Sequence, residues 1–372
     1  PREVPPDLER EASTAAHAVC DRVDALLAAQ PLEALIDTQL RMHPTHLIAK
    51  EDFATASLLA LGLERDITGW PVAYFDRRNR KSLDLWESVR TDPRCRTIQV
   101  FATLGATDYN TARSAARLAA QRGVENVALG FAGLNKDPWT CKSYLAGHRR
   151  ALPSSAPRRY VRITAILLGI RDGYREAGCP LKAFHALGMG ARDQFPLLAT
   201  IFDHTTALTA DATSPVHDAV SDLVLYHAQD PGERVEAWEA AGLALRGDES
   251  AIRSPFCHHF IRQHGHDTAA ARAWWESAGS PAVNRELVAP ESPLAAHLPL
   301  FAVGRGGVTA EQEKTRIGHN HWVTDKAAEA LDHPERRGLG RKMIEDLVEK
   351  RDHFSVREGL RASIEILGTI GA

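Results

Sequence analysis

Between Thr97 and Ala212 short apolar runs alternate with amphipathic stretches, and this alternation restricts the fold more than any other feature of the chain. "TIQVFAT" (97–103), "NVALGFAG" (126–133), "LKAFHALG" (181–188) and "TALTADA" (206–212) have the length and residue content of strands. "PVAYFD" (71–76) has the same character and reads as a strand too. The stretches 82–91, 108–122, 160–177 and 191–202 carry helical spacing. Strand, helix, strand in this order implies parallel strands joined by helical crossovers. A TIM (β/α)8-type barrel and a doubly wound sheet both satisfy the pattern. In either, loops after the strand C-terminal ends build the active site.

The flanks read differently. Leu8 to Leu63 is Ala/Leu-rich with breaks at Pro31 and Pro44, and reads as three or so helices. After Asp211 come helix candidates at 216–227 and 234–245, a histidine-rich stretch, a Pro-containing segment (280–300) and a charged C-terminal helix from Arg336. At 372 residues, one elaborated domain is as compatible with the length as two. With 44% hydrophobic and 25% charged residues, the chain can bury a large core, which excludes disorder for most of it.

The longest apolar runs, such as that inside "ITAILLGIRDGY", are broken by charge before the roughly 20 residues that span a bilayer. The opening "PREVPPDLEREAS" lacks the apolar segment of a secretory signal. Five cysteines stand singly, which argues against a disulfide framework and for a reducing compartment. The expectation is a soluble cytoplasmic protein with no membrane partner. A net charge of -3 gives no global attraction to nucleic acid, so a polyanion must be held by local patches. "GHRRALPSSAPRRYVR" (147–162) and "HPERRGLGRKM" (333–343) are the two candidates, although solvated loops and helix ends have the same composition.

Candidate chemistry gathers at two strand ends. Gly188 ends the 181–188 strand and Gly190 follows it, at a position where glycines let backbone approach a ligand closely. Asp211 ends the next strand, so both features face one mouth. Asp211 with Thr213 and Ser214 equally fits a helix N-cap. Further on, "CHHFIRQHGH" (257–266) places one Cys and four His in ten residues, and "GHNHW" (318–322) adds two His. Thiolate and imidazole suit zinc, but the spacing matches no standard finger, and a polar surface loop looks similar. "GRGG" (304–307) lacks the register of a nucleotide loop.

Taken together, these segments resemble the tRNA-guanine transglycosylase superfamily, which includes DNA-modifying 7-deazaguanine transglycosylases. The resemblance implies a TIM barrel with a zinc-binding insertion. It also implies an aspartate nucleophile that cleaves the N-glycosidic bond of a guanine before a 7-deazaguanine is installed. "AFHALGMGARDQFPLLATIFDHTTALTADATSP" (183–215) is similar to the family's strand, G-x-G, helix and strand ending in the nucleophile. That puts Asp211 in the nucleophile's place and Gly188 and Gly190 in those of the glycines. His185 stands where the family usually has a base-stacking Tyr, and Leu187 where it has an apolar platform.

"ATLGATDYNTARSAARLAA" resembles the Q-G-G stretch, with Gly105 kept but Thr103 or Leu104 where a base-reading Gln is expected. "NVALGFAG" resembles the I-G-G-L strand and assigns Gly130 to the base. "RIGHNHWVTDKAAEAL" resembles the segment with a zinc-ligating histidine, which points to His319. The family's Cys-x-Cys-x-x-Cys is absent, so Cys257, His259 and His264 complete the implied set, with His266 as an alternative to His264. The D-S-G-G-F-Q motif is also absent, and Asp76 or Asp37 would have to serve in its stead. The likeness covers 96–219 and, more weakly, 319–331.

The resulting expectation is an N-terminal helical segment (1–65) followed by a transglycosylase-like barrel (66–372), with an insertion at about 250–322. Asp211 is the catalytic residue. Gly105, Gly130, His185, Leu187, Gly188 and Gly190 bind substrate, and Cys257, His259, His264 and His319 hold a structural zinc. Nucleic acid (DNA or tRNA) and a 7-deazaguanine base are the implied partners, with homodimerisation carried over from the family. Two other classes fit the same residues: a non-catalytic member that binds nucleic acid or a protein, and a base hydrolase or free-nucleoside exchange enzyme.

Overall fold

A computed structural model describes residues 18, 21–26, 29, 31–50, 72–131, 158–189, 194–211, 213–230, 233–245, 247–264, 310–350 and 354–369. In chain order its elements begin with α1 (Leu32–Leu40), β1 (His46–Ile48), α2 (Val72–Thr91), β2 (Gln99–Leu104), α3 (Tyr109–Gln121) and β3 (Asn126–Gly130). Then come α4 (Arg158–Ala177), β4 (Ala183–Leu187), α5 (Phe195–Ile201) and β5 (Ala207–Ala210). A helical turn (Ser214–His217) and a π-turn (Asp218–Asp222) lead to β6 (Val224–Tyr226), β7 (Arg234–Glu236), α6 (Ala237–Leu245) and α7 (Pro255–His264). The chain continues through α8 (Ala310–Ala330), α9 (Arg336–Lys350) and α10 (Phe354–Thr369). Residues 1–189, 194–211 and 334–372 form one compact unit, and 190–193 with 212–333 a second.

The first unit corrects the expected fold class. Its five strands are parallel and lie in the order β1-β2-β3-β4-β5. A doubly wound sheet reverses its strand order at a switch point, and this one does not. Nor is it a closed eight-stranded barrel: among the described residues the sheet is open at β1 and β5, a half-barrel. The sequence between 97 and 212 specifies each crossover locally, but strand number and closure depend on pairings far apart along the chain.

Strand alternation gives the sheet two unlike faces. Leu47, Val100, Ala102, Leu104, Val127, Leu129, Phe184 and Ala186 point into the main core, packed with the Ala112, Ala115, Ala116 and Ala119 ridge of α3 and with Ile166 and Ile170 of α4. Helices α3 and α4 touch almost backbone to backbone. A Cβ on Gly169 would meet Tyr109 O at 2.5 Å, and one on Gly173 would meet Arg113 O at 2.5 Å. The opposite face holds a small apolar cluster, Phe101, Ala128 and Ala183, edged by Ile48 and Leu187. Register places His46, Gln99, Asn126, His185 and Thr209 on this same face.

Four local readings also change. "PVAYFD" is not a strand, because Phe75, Asn79, Leu83, Trp86 and Val89 are buried at helical spacing and form the inner stripe of α2. The stretch read as wholly helical contains β1, whose three residues pair with Gln99, Val100 and Phe101. The helices expected at 216–227 and 234–245 give up residues to β6 and β7, an antiparallel pair. The single C-terminal helix is two, α9 and α10.

Candidate functional site at the strand ends

Asp211 directly follows β5 and is exposed, and its backbone N–H donates to Ala186 O of β4 at 3.4 Å. Its Oδ1 accepts a hydrogen bond from the backbone N–H of Gly188, the residue after β4. Gly188 has φ +69°, a left-handed conformation that glycine adopts without strain, and this turn brings its N–H onto the carboxylate. The carboxylate is thus oriented through one oxygen, while Oδ2 carries no hydrogen bond among the described residues. Thr213 and Ser214 start the next helical turn, but Asp211 does not cap it.

His185 lies on the same face two residues before Leu187, half-buried, with Nδ1 2.8 Å from Thr209 Oγ1 of β5. Phe101 meets the imidazole edge-on, with ring centroids 6.1 Å apart, and His46 stands 5.8 Å from Phe101 on its other side. Burial lowers the His185 pKa; the Asp211 charge opposes that and His46 adds to it. The ring is therefore neutral at pH 7, and its Nε2 has no partner among the described residues. Leu187 is half-buried beside it. A fixed carboxylate, a neutral imidazole and an apolar platform make an open polar-apolar face suited to an uncharged planar ring next to a developing positive charge.

The other expected groups fall out differently. Gly130 ends β3 beside Leu187, and the next N–H, of Phe131, donates to Leu187 O at 2.8 Å. Gly105 is clamped: its N–H donates to Asn79 Oδ1 at 2.8 Å and its carbonyl accepts from Asn79 Nδ2 at 3.0 Å. Both backbone groups are spent inside the protein. Thr103 donates to Ala49 O at 2.6 Å, and Leu104 is buried in the main core. Asp76 accepts from Ser114 at 2.7 Å, and Asp37 pairs with Arg94 at 2.5 Å. Gly190 lies outside the described residues. Asn79 and His46 carry no motif: the folded helix α2 brings Asn79 to Gly105, and strand β1 brings His46 to Phe101 on the face that holds His185.

In the second unit the implied zinc ligands do not assemble among the described residues. His319 is fully buried, with Nε2 2.8 Å from Tyr226 O and Nδ1 2.8 Å from Ser254 Oγ. Nε2 must donate to the carbonyl, so Nδ1 accepts from the serine, and neither nitrogen is left for a metal. Burial drives its pKa down to about 4. Cys257 is buried and its thiol is pushed up to about 12, again by burial, which disfavours a thiolate ligand. His259 is exposed on α7, and the His264 side chain lies outside the described residues.

Neighbouring residues complete a sealed network. Asn320 accepts from Tyr226 N–H at 2.9 Å and donates to Val224 O at 3.0 Å and Pro215 O at 3.2 Å, while Arg316 donates to Ala219 O at 2.8 Å. Among the described residues one group has metal-capable atoms within 4.8 Å of one another: His217, Asp218 and Asp222. Asp218 is already committed there, to Tyr226 OH at 2.7 Å and to Arg234 at 2.9 Å.

No family model matches this chain, and no curated protein matches it. No described helix is long and apolar enough to cross a membrane.

Proposed function

We propose that the protein is a transglycosylase that cleaves an N-glycosidic bond through Asp211 and exchanges a guanine in nucleic acid, DNA or tRNA, for a 7-deazaguanine. The observation that carries this reading is the half-tethered carboxylate at the strand ends, exposed, oriented by Gly188 N–H and flanked by His185. Asp211 Oδ2 attacks C1′ of the nucleoside. The C1′–N9 bond breaks with its electron pair leaving on the base, which takes up a proton. The incoming base then displaces the carboxylate as its own N9–H is lost, and two displacements retain the anomeric configuration. A neutral His185 and Leu187 stack against the base, and Thr209 fixes the imidazole plane.

The substrate-binding role expected of Gly105 is not part of the proposal, because Asn79 occupies both its backbone groups. The structural zinc implied by the resemblance has no assembled donor set among the described residues, so no step runs through a metal. The reading is tested by incubating the full chain with radiolabelled guanine and either tRNA or duplex DNA. Label entering one polymer with wild type but not with Asp211→Asn supports exchange and identifies the polymer. Release of free guanine without incorporation would replace exchange with hydrolysis. No reaction with either polymer would overturn the reading.

A further inference from the structure

The basic stretch 333–343 is not a solvated helix end alone. Two of its arginines, Arg337 and Arg341, line a cavity of about 220 Å³ in the first unit together with Arg171, Thr200, Gly338, Ile364 and Leu367. Arg171 comes from α4 and the apolar wall from α10, so four helices converge on it. The approach of α9 to α5 is made by Gly340, where a Cβ would meet Pro196 O and Thr200 Oγ1, both at 2.7 Å. Each guanidinium is fixed through its Nε: Arg171 to Asp172 at 2.9 Å, Arg337 to the Thr200 carbonyl at 3.1 Å, and Arg341 to Glu345 at 3.1 Å.

Unspent donors remain on two of the three arginines. Arg171 Nη2 is buried and lies 2.9 Å from Asp172 Oδ1, an ion pair without hydrogen-bond geometry, so this guanidinium is a fixed wall of the cavity. The terminal nitrogens of Arg337 and Arg341 have no partner among the described residues. Asp172 is shared among Arg171, Arg175 and Tyr109 OH, and Glu345 pairs with Arg341, which leaves the Arg337 charge without a carboxylate partner among the described residues. Arg337 and Arg341 are also one helical turn apart, a like-charge spacing that costs stability until an anion relieves it.

We propose that this cavity is an oxyanion site that takes a phosphate group. Guanidinium forks match tetrahedral phosphate oxygens in geometry and charge, and the volume admits a phosphate group with room for what it is attached to. The same chemistry is offered by free inorganic phosphate and by the backbone of a nucleic-acid strand. The site does not include Asp211, so it stands or falls independently of the transglycosylase reading.

The test is a calorimetric and thermal-shift titration of the full chain with inorganic phosphate against chloride at matched ionic strength. Wild type should bind and melt higher in phosphate. Arg341→Ser should weaken binding about tenfold, the loss expected for one charge-assisted contact. Gly338→Glu is the sharper variant. A Cβ there meets open space and glutamate favours a helix more than glycine does, so the fold is kept while a carboxylate enters the cavity. Its phosphate binding should vanish with the melting temperature in chloride unchanged or raised. Absence of a phosphate effect in wild type, or equal binding by Gly338→Glu, would overturn the proposal. A single-stranded oligonucleotide arm separates the sources: binding that falls in Gly338→Glu identifies a strand phosphate, and binding that does not, while phosphate binding is lost, identifies free phosphate.

Discussion

Two histidines in this protein have lowered pKa values for the same first reason, burial, and they do opposite things. His319 is sealed in the second unit, where both ring nitrogens are bonded and every polar neighbour is matched. His185 sits half-buried on an open sheet face with one nitrogen bonded to Thr209 and the other unused, near a carboxylate with one oxygen tethered. Satisfied polar groups in a core hold a fold together, whereas oriented groups with unspent bonding capacity are available for chemistry. The difference lies in how many bonds each side chain has left, not in residue type or titration behaviour.

Substitutions can break this contrast. The largest effect is expected from Asp211→Asn, which keeps an acceptor for Gly188 N–H but removes the nucleophile: exchange should fall by roughly 10³-fold or more with little change in melting temperature. Paired activity and thermal-melt measurements check it. Next is His319→Ala, which leaves the Tyr226 carbonyl and the Ser254 hydroxyl unmatched around a new cavity. It should cost about 3 kcal/mol in urea unfolding. The matching His185→Ala change on the open face should cost below about 1 kcal/mol while lowering exchange.

Acid sharpens the same comparison. His319 titrates near 4 when folded and near its ordinary 6.5 when unfolded, so the unfolded chain binds more protons between those values. Its contribution is complete above pH 6.5 and is lost as pH falls toward 4, amounting to about 3 kcal/mol at the limit. Urea midpoints measured across this interval should decline with falling pH, and the decline should shrink in His319→Ala. The smallest effect is expected from chelation. Because the network around His319 uses hydrogen bonds where a metal would need free nitrogens, EDTA should leave the melting temperature unchanged.

Much of the first unit is legible in the chain itself. Strands β2 to β5 and helices α3 to α5 lie where local periodicity places them, and Gly188 and Asp211 fall at adjacent strand ends as their positions require. What periodicity does not carry is pairing at a distance. Strand β1 is three residues long and is stabilised by a partner some fifty positions on. The run at 71–76 is too short to separate a strand from the first turns of α2. A histidine beside an asparagine at 319 and 320 looks the same whether it binds a metal or two groups brought from 226 and 254. Likewise, nothing near Gly105 announces Asn79, and nothing near Arg337 announces Arg171.

The nucleophilic role of Asp211 is tested most directly by trapping the covalent intermediate. Wild type and Asp211→Asn would be incubated with the polymer substrate in the absence of an incoming base, denatured, and mapped by peptide mass spectrometry. A ribosyl or deoxyribosyl ester is expected on the peptide carrying Asp211 in wild type and none in the variant. An adduct on another residue, or exchange activity that persists in Asp211→Asn, would contradict that role.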